Sequence, residues 1–198
     1  MIAVNTEITS SRVKVNAITD AEILWIKVHC QGHKDILIAA CYRPDVSDKV
    51  TSVELRESLT ELFTSRKRAC GIIVGGDFNY PGWNWEDNII KPGTQYVGLH
   101  QEFADILDDF GLTQHVTEPT RIKNTLDLVA TNMPEQVNNS RVIPGISDHA
   151  IAYLELSVKP IKKTQPNRKV FLYNKADWNE MKKFLIPRLE RLELAYIP

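Results

Sequence analysis

The sequence is poor in cysteine and has no close cysteine pair. Cys30, Cys41 and Cys70 are an odd number without CxxC spacing, which excludes a fully paired disulfide framework and a zinc knuckle. Cys41 and Cys70 border apolar runs, where a reduced thiol packs as a small hydrophobe. His29, His33, His100 and His115 stand without ligand spacing, so a structural zinc site is not expected. No apolar run reaches the roughly 18 residues of a membrane span. The start, MIAVNTEITS, lacks the basic and apolar regions of a signal peptide. An intracellular location without a membrane partner is therefore expected. Internal repeats and low-complexity stretches are also lacking. With 43% hydrophobic and 25% charged residues, the chain has the composition of one that buries an ordinary core. Its 198 residues suit one domain with an appendage.

The net charge of −1 hides an asymmetry. Residues 159–198 hold ten Lys and Arg against four Asp and Glu, so that the remaining 1–158 is acidic. The division expected is an acidic body, 1–158, and a basic tail, 159–198. An acidic body beside a basic tail suits a cation site next to a polyanion contact, and equally a solvated basic surface.

Short β-rich runs mark strands over 23–29, 35–42, 71–75, 125–131 and 150–156. Between them, 53–66 sets Val53, Leu55, Leu59, Leu62 and Phe63 largely on one helical face, and 96–110 does so with Leu99, Phe103, Ile106 and Leu107. Gly111 is a helix stop. Strands interleaved with amphipathic helices predict an α/β chain of mixed sheets covered by helices. In the tail, 160–166 is a proline-punctuated polar linker. Residues 175–194 then turn amphipathic, with Asp177 as N-cap, Trp178, Met181, Leu185, Leu189 and Leu192 as a packing face, and Pro187 expected to kink or end the helix.

Chemistry concentrates where predicted strands run out. In Gly75-Gly76-Asp77-Phe78-Asn79, an acid and an amide two residues apart project the same way. Asp77 can take a proton from an attacking water, and Asn79 can orient that carboxylate or donate to a phosphate oxygen. Read alone, the same residues also suit a turn. Asp127 interrupts an apolar strand, which is costly unless the carboxylate is paired. Ser147-Asp148-His149 follows the Pro144-Gly145 turn; His149 can stabilise charge on a phosphorane, with Asp127 orienting its imidazole. Trp83 and Trp85, just after the first of these turns, offer indoles that could stack on or wedge into DNA, or simply pack the loop.

Taken in order, GGDFN, LDL and SDH resemble the endonuclease/exonuclease/phosphatase superfamily, and in particular the apurinic/apyrimidinic-endonuclease-like domain of non-LTR retrotransposons. Tyr42-Arg43-Pro44 resembles the family's Tyr-x-Pro strand end. Thr120-Arg121, Asn124-Thr125 and the tail's Ala176-Asp177-Trp178 are similar to the retroelement branch. The resemblance implies a four-layered α/β sandwich of two packed mixed sheets flanked by helices. It implies Asp77 and Asn79 as catalytic acid and amide, Asp127 as the histidine-orienting acid, Asp148 and His149 as the terminal pair, and Tyr42 as a phosphate contact, with Asn124 also near substrate. It further implies Mg²⁺, or Mn²⁺ in its place, a DNA substrate, nuclear work, and a downstream reverse transcriptase served by the tail as connector. The family's first strands, one ending in asparagine and one in a metal-ligating glutamate, are not visible. The chain is therefore expected to be N-terminally truncated, with Asp77 and Asp148 left to bind the metal. Two other readings stay open: an inactive nucleic-acid- or protein-binding remnant, and a phosphoesterase of the same fold acting on small molecules.

Overall fold

In the computed structural model, residues 1–32, 34–65, 71–145, 147–163 and 173–194 are described. Cys70, His33 and the linker residues 164–166 lie outside them. The elements run β1 (Ser10–Val13), β2 (Glu22–Val28), β3 (Ile36–Tyr42), α1 (Val50–Ser65), β4 (Gly71–Asp77), β5 (Trp83–Asn84), β6 (Ile89–Ile90), α2 (Val97–Asp109), β7 (Thr113–Gln114), β8 (Asp127–Thr131), β9 (Val137–Ile143), β10 (Ile151–Leu156) and α3 (Trp178–Leu194). The chain divides into two compact units, Met1–Lys163 and Thr164–Pro198.

Six strands of the first unit form one mixed sheet in the order β1-β2-β3-β4-β8-β7. Among the described residues, only β3 and β4 run parallel. A parallel pair needs a crossover of a dozen or more residues, and α1 supplies it. Asp48 caps that helix, its carboxylate accepting the N–H groups of Val50 and Thr51, so α1 starts ahead of its first strongly patterned residues. Alternation along the strands sends Ile23, Trp25, Leu37, Ala39, Cys41, Ile72, Val74, Leu128 and Ala130 to one face, into a core shared with Leu55, Leu59 and Leu62 of α1 and Phe103, Ile106 and Leu107 of α2. The opposite face carries a smaller cluster, Ile26, Val28, Cys30 and Ile36, against Ile2, Val4, Ile8, Met133 and Val158. Gly111, with φ 61°, ends the α2 segment as expected.

The mixed α/β class is thus observed, with α1 and α2 covering one face of the large sheet. Beyond that sheet, the described strands form two antiparallel pairs, β9–β10 and the short β5–β6. β9, with the sequence VNNSRVI and several exposed residues, carries no apolar run and was not expected. The compact body reaches Lys163, past the composition break at 158/159, because residues 159–163 bond back into it. Ile161 donates to the His29 carbonyl at 2.7 Å and Gln31 to that of Lys159 at 2.8 Å.

In the second unit, Asp177 Oδ1 accepts the Glu180 N–H at 3.0 Å and caps α3 as expected. The helix does not end at Pro187 but continues to Leu194. Trp178, Met181, Leu185 and Leu189 are exposed, and the side chain of Leu192 lies outside the description. No helix among the described residues is long and apolar enough to cross a membrane.

Candidate active site

β3 and β4 end together, and their last residues are in register: Tyr42 beside Asp77. Across the antiparallel β4–β8 ladder, Asp77 faces Asp127. Residues directly opposite on neighbouring strands point to the same side with Cβ atoms about 5 Å apart. Since Cys41, Val74 and Leu128 point into the helix-covered core, this row projects from the other face. Glu22 on β2 extends the row beyond Tyr42. The strands approach closely here. Gly76 has φ 151°, and a Cβ on it would strike the Cys41 carbonyl oxygen, so only glycine fits.

Two carboxylates face to face repel one another, and the third member of the group is basic. His149, two residues before β10, places Nδ1 2.8 Å from Asp127 Oδ2. One potential ligand atom from each of Asp77, Asp127 and His149 lies within 4.8 Å of the others. An ionised carboxylate only accepts hydrogen bonds, so beside one Nδ1 carries the proton and Nε2 remains for other work. Burial first, and the Asp127 charge second, hold the Asp77 carboxyl above the usual carboxylate range. His149, the Asn79 N–H and Arg121 pull the other way.

The loops around this group are tied down by main-chain bonds. The hydroxyl of buried Thr120 accepts the N–H groups of Leu126 and Asp127, both at 3.0 Å. Its carbonyl accepts the Ala150 N–H at 2.7 Å. A Cβ on Gly145 would collide with the His149 carbonyl, which explains the glycine of the Pro144-Gly145 turn. Asn79 has φ 50°, a left-handed conformation that asparagine tolerates better than most residues. Its N–H donates to Asp77 Oδ1 at 3.3 Å and its amide to the Arg43 carbonyl at 2.7 Å.

The structure therefore brings Tyr42, Asp77, Asn79, Asp127 and His149 to one end of the sheet. Asp148 is placed differently: its Oδ2 pairs with Arg121 Nη2 at 2.7 Å, and it is not part of the Asp77–Asp127–His149 group. Asn124 closes the Thr120–Asn124 turn with Arg121, and its Oδ1 lies 3.5 Å from Lys91 Nζ. Trp83 is buried, with its ring centroid 5.2 Å from that of Trp85. Trp85 in turn packs edge-on against Phe103. These indoles serve the loop's packing in this structure. Sequence reasoning missed Thr120 as a support, and the only signal for it was its place in the Thr-Arg dipeptide.

The family model described as endonuclease-reverse transcriptase matches residues 36–153. The chain belongs to the endonuclease-reverse transcriptase family. The matched span runs from β3 into β10 and contains every residue of the group above. Among solved structures, the chain is similar to the endonuclease domain of TRAS1, a telomere-specific non-LTR retrotransposon. There the TM-score is 0.55 at 15% identity, over 77% of this chain and 70% of that one. A second likeness, to an endonuclease/exonuclease/phosphatase family protein from Leptotrichia buccalis C-1013-b, has a TM-score of 0.47 and 19% identity. It covers 68% of this chain and about half, 52%, of the other. No curated protein sequence matches the chain. The first likeness shows a shared endonuclease fold; family membership rests on the 36–153 match.

Proposed function

We propose that this endonuclease-reverse transcriptase family member nicks DNA by metal-dependent hydrolysis of a phosphodiester. The observation that carries the reading is the Asp127–His149 pair at 2.8 Å beside Asp77, all within the family-matched span. A carboxyl held above its ordinary range is a better proton acceptor. Asp77 takes the proton of the attacking water, whose oxygen bonds to phosphorus as the P–O3′ bond breaks. With His149 as the imidazolium, Asp127 holds its Nδ1–H and leaves the Nε2–H to meet the charge growing on the phosphoryl oxygens or to give its proton to the leaving O3′. Asn79 donates to the phosphate once its amide is shared with substrate, and Tyr42 lies next in the row for a second contact.

The donor set fits a hard cation: two facing carboxylates whose repulsion a metal would relieve. Asp77, with Asp127 facing it, would hold Mg²⁺ or Mn²⁺; Asp148, the other expected ligand, is paired with Arg121 and lies outside this group. The ion would supply charge neutralisation at the phosphoryl oxygens.

DNA is preferred over a small phosphoester because of the turn tied to Asp127. Arg121, Ile122 and Lys123 project there, and Ile122 is 89% exposed with φ 55°. Two cations flanking an apolar side chain suit a duplex, the former on phosphates and the latter against sugars or a base step. A nick would leave a 3′-hydroxyl, the end a reverse transcriptase extends, and such a partner and a nuclear setting complete the reading. The test uses an end-labelled duplex with Mg²⁺ beside bis(p-nitrophenyl) phosphate. Cleavage of the duplex to 3′-hydroxyl ends, weakened by Ile122→Gly far more than hydrolysis of the small ester, is expected. Hydrolysis of the small ester alone would replace DNA with a small substrate. Duplex binding without cleavage would leave a binding module.

A further inference from the structure

Arg43 follows β3 and is wholly buried, 0% exposed. Burying a guanidinium is costly unless its donors are satisfied. They are satisfied almost entirely by backbone. Nη1 donates to the Phe78 and Asn79 carbonyls at 3.2 and 2.9 Å. Nη2 donates to those of Val46 and Asp48 at 2.9 and 2.8 Å, and Nε to that of Asp48 at 3.0 Å. The Asp48 carboxylate is more distant, 3.8 Å from Nε, and the Tyr80 ring covers one face with its centroid 4.2 Å away.

The carbonyls gathered belong to two segments, 46–48 ahead of α1 and 78–79 in the turn after β4. The Arg43 backbone holds the same turn. Its N–H donates to the Asp77 carbonyl at 2.8 Å, and its own carbonyl accepts the Asn79 side-chain amide at 2.7 Å. Each of Asp77, Phe78 and Asn79 is thus bonded to Arg43. Asn79 holds a left-handed conformation that needs such restraint.

We infer that Arg43 is a positioning residue for phosphodiester cleavage: its buried guanidinium locks the turn that aims the Asn79 amide and fixes the Asn79 N–H on the Asp77 carboxylate. This rests on the reading of Asp77 and Asn79 as acid and amide. A lysine keeps the charge but offers a point, not a planar fork, and cannot span both sets of carbonyls.

The test is a double-mutant cycle on plasmid nicking by the full chain: wild type, Arg43→Lys, Asn79→Ala and both together. Expected is a fall in kcat of about 10- to 100-fold for Arg43→Lys with KM little changed, and a further loss below about threefold in the Asn79→Ala background. Equal losses in both backgrounds, or a wild-type rate for Arg43→Lys, would overturn the inference. If Asn79→Ala itself nicks at the wild-type rate, it is the catalytic reading of Asn79 that fails, and the inference with it. A measurement on the unmutated chain covers the case in which Arg43→Lys does not fold. The Asn79 side-chain amide protons should exchange slowly and show nuclear Overhauser contacts to residues 43–44. Rapidly exchanging, solvent-averaged amide signals would overturn the inference equally.

Discussion

The Thr120 hydroxyl accepts the backbone N–H of Asp127 at 3.0 Å, so the acid that holds His149 is itself held by a side chain seven residues earlier. The Thr120 carbonyl also fixes Ala150, and one residue thereby sets both partners of the acid–histidine pair. Thr120→Val keeps the shape but leaves two N–H groups unpaired, at a cost of about 1–3 kcal/mol. Nicking should fall by about tenfold or more, with Thr120→Ser close to wild type. Denaturant unfolding and steady-state nicking check both effects.

Asp127→Asn removes the carboxylate charge beside His149 and adds an NH2 donor that can turn the imidazole to the wrong tautomer. Because the two act as a unit, Asp127→Asn and His149→Ala should each lower kcat by about 10²–10⁴, and the double variant should be little worse than His149→Ala alone. Losses that multiply in the double variant would separate the two roles.

Burial and the facing Asp127 raise the Asp77 pKa in the folded chain. A raised carboxyl pKa means that ionisation costs folded-state stability. The cost is absent below the unfolded value near 3.8 and complete once pH exceeds the folded one. In EDTA, Asp77→Asn should therefore raise Tm at pH 7, with the gain vanishing near pH 3.5, and in Mg²⁺ the same substitution should abolish nicking. Thermal scans at the two pH values, where the chain stays folded, check the sign.

The strands that position the site were legible because β2, β3, β4 and β8 are apolar runs bounded by turns. The acids were legible because Asp77 and Asp127 interrupt or end such runs. β9 was not, since a polar strand with no buried stripe carries no period-2 signal. The destination of Asp148 depends on Arg121, in a turn 27 residues earlier, and spacing along the chain cannot show such a contact. Trp83 in a Pro-Gly loop reads as an exposed ring or a packed one, and the tertiary neighbours Trp85 and Phe103 decide it.

Burial holds the imidazole of His100 below its ordinary pKa, with the Tyr96 carbonyl opposing. Its Nε2 accepts the Gly82 N–H at 3.2 Å, so the neutral ring anchors the loop after Asn79. A depressed histidine pKa gives stability that is full above the unfolded value of 6.5 and is lost as pH falls from there through the folded pKa. Tm should drop between pH 7 and 5, and His100→Gln should flatten that slope, His115 supplying the remainder through its own burial. An unchanged slope in His100→Gln would assign the acid sensitivity elsewhere.

The measurement that bears most directly on the account is nicking of supercoiled plasmid by the purified chain with Mg²⁺, beside EDTA, Asp77→Ala and His149→Ala controls. The account predicts open-circular product that disappears in all three controls. No nicking by a folded chain, or nicking that survives EDTA or either substitution, would contradict it.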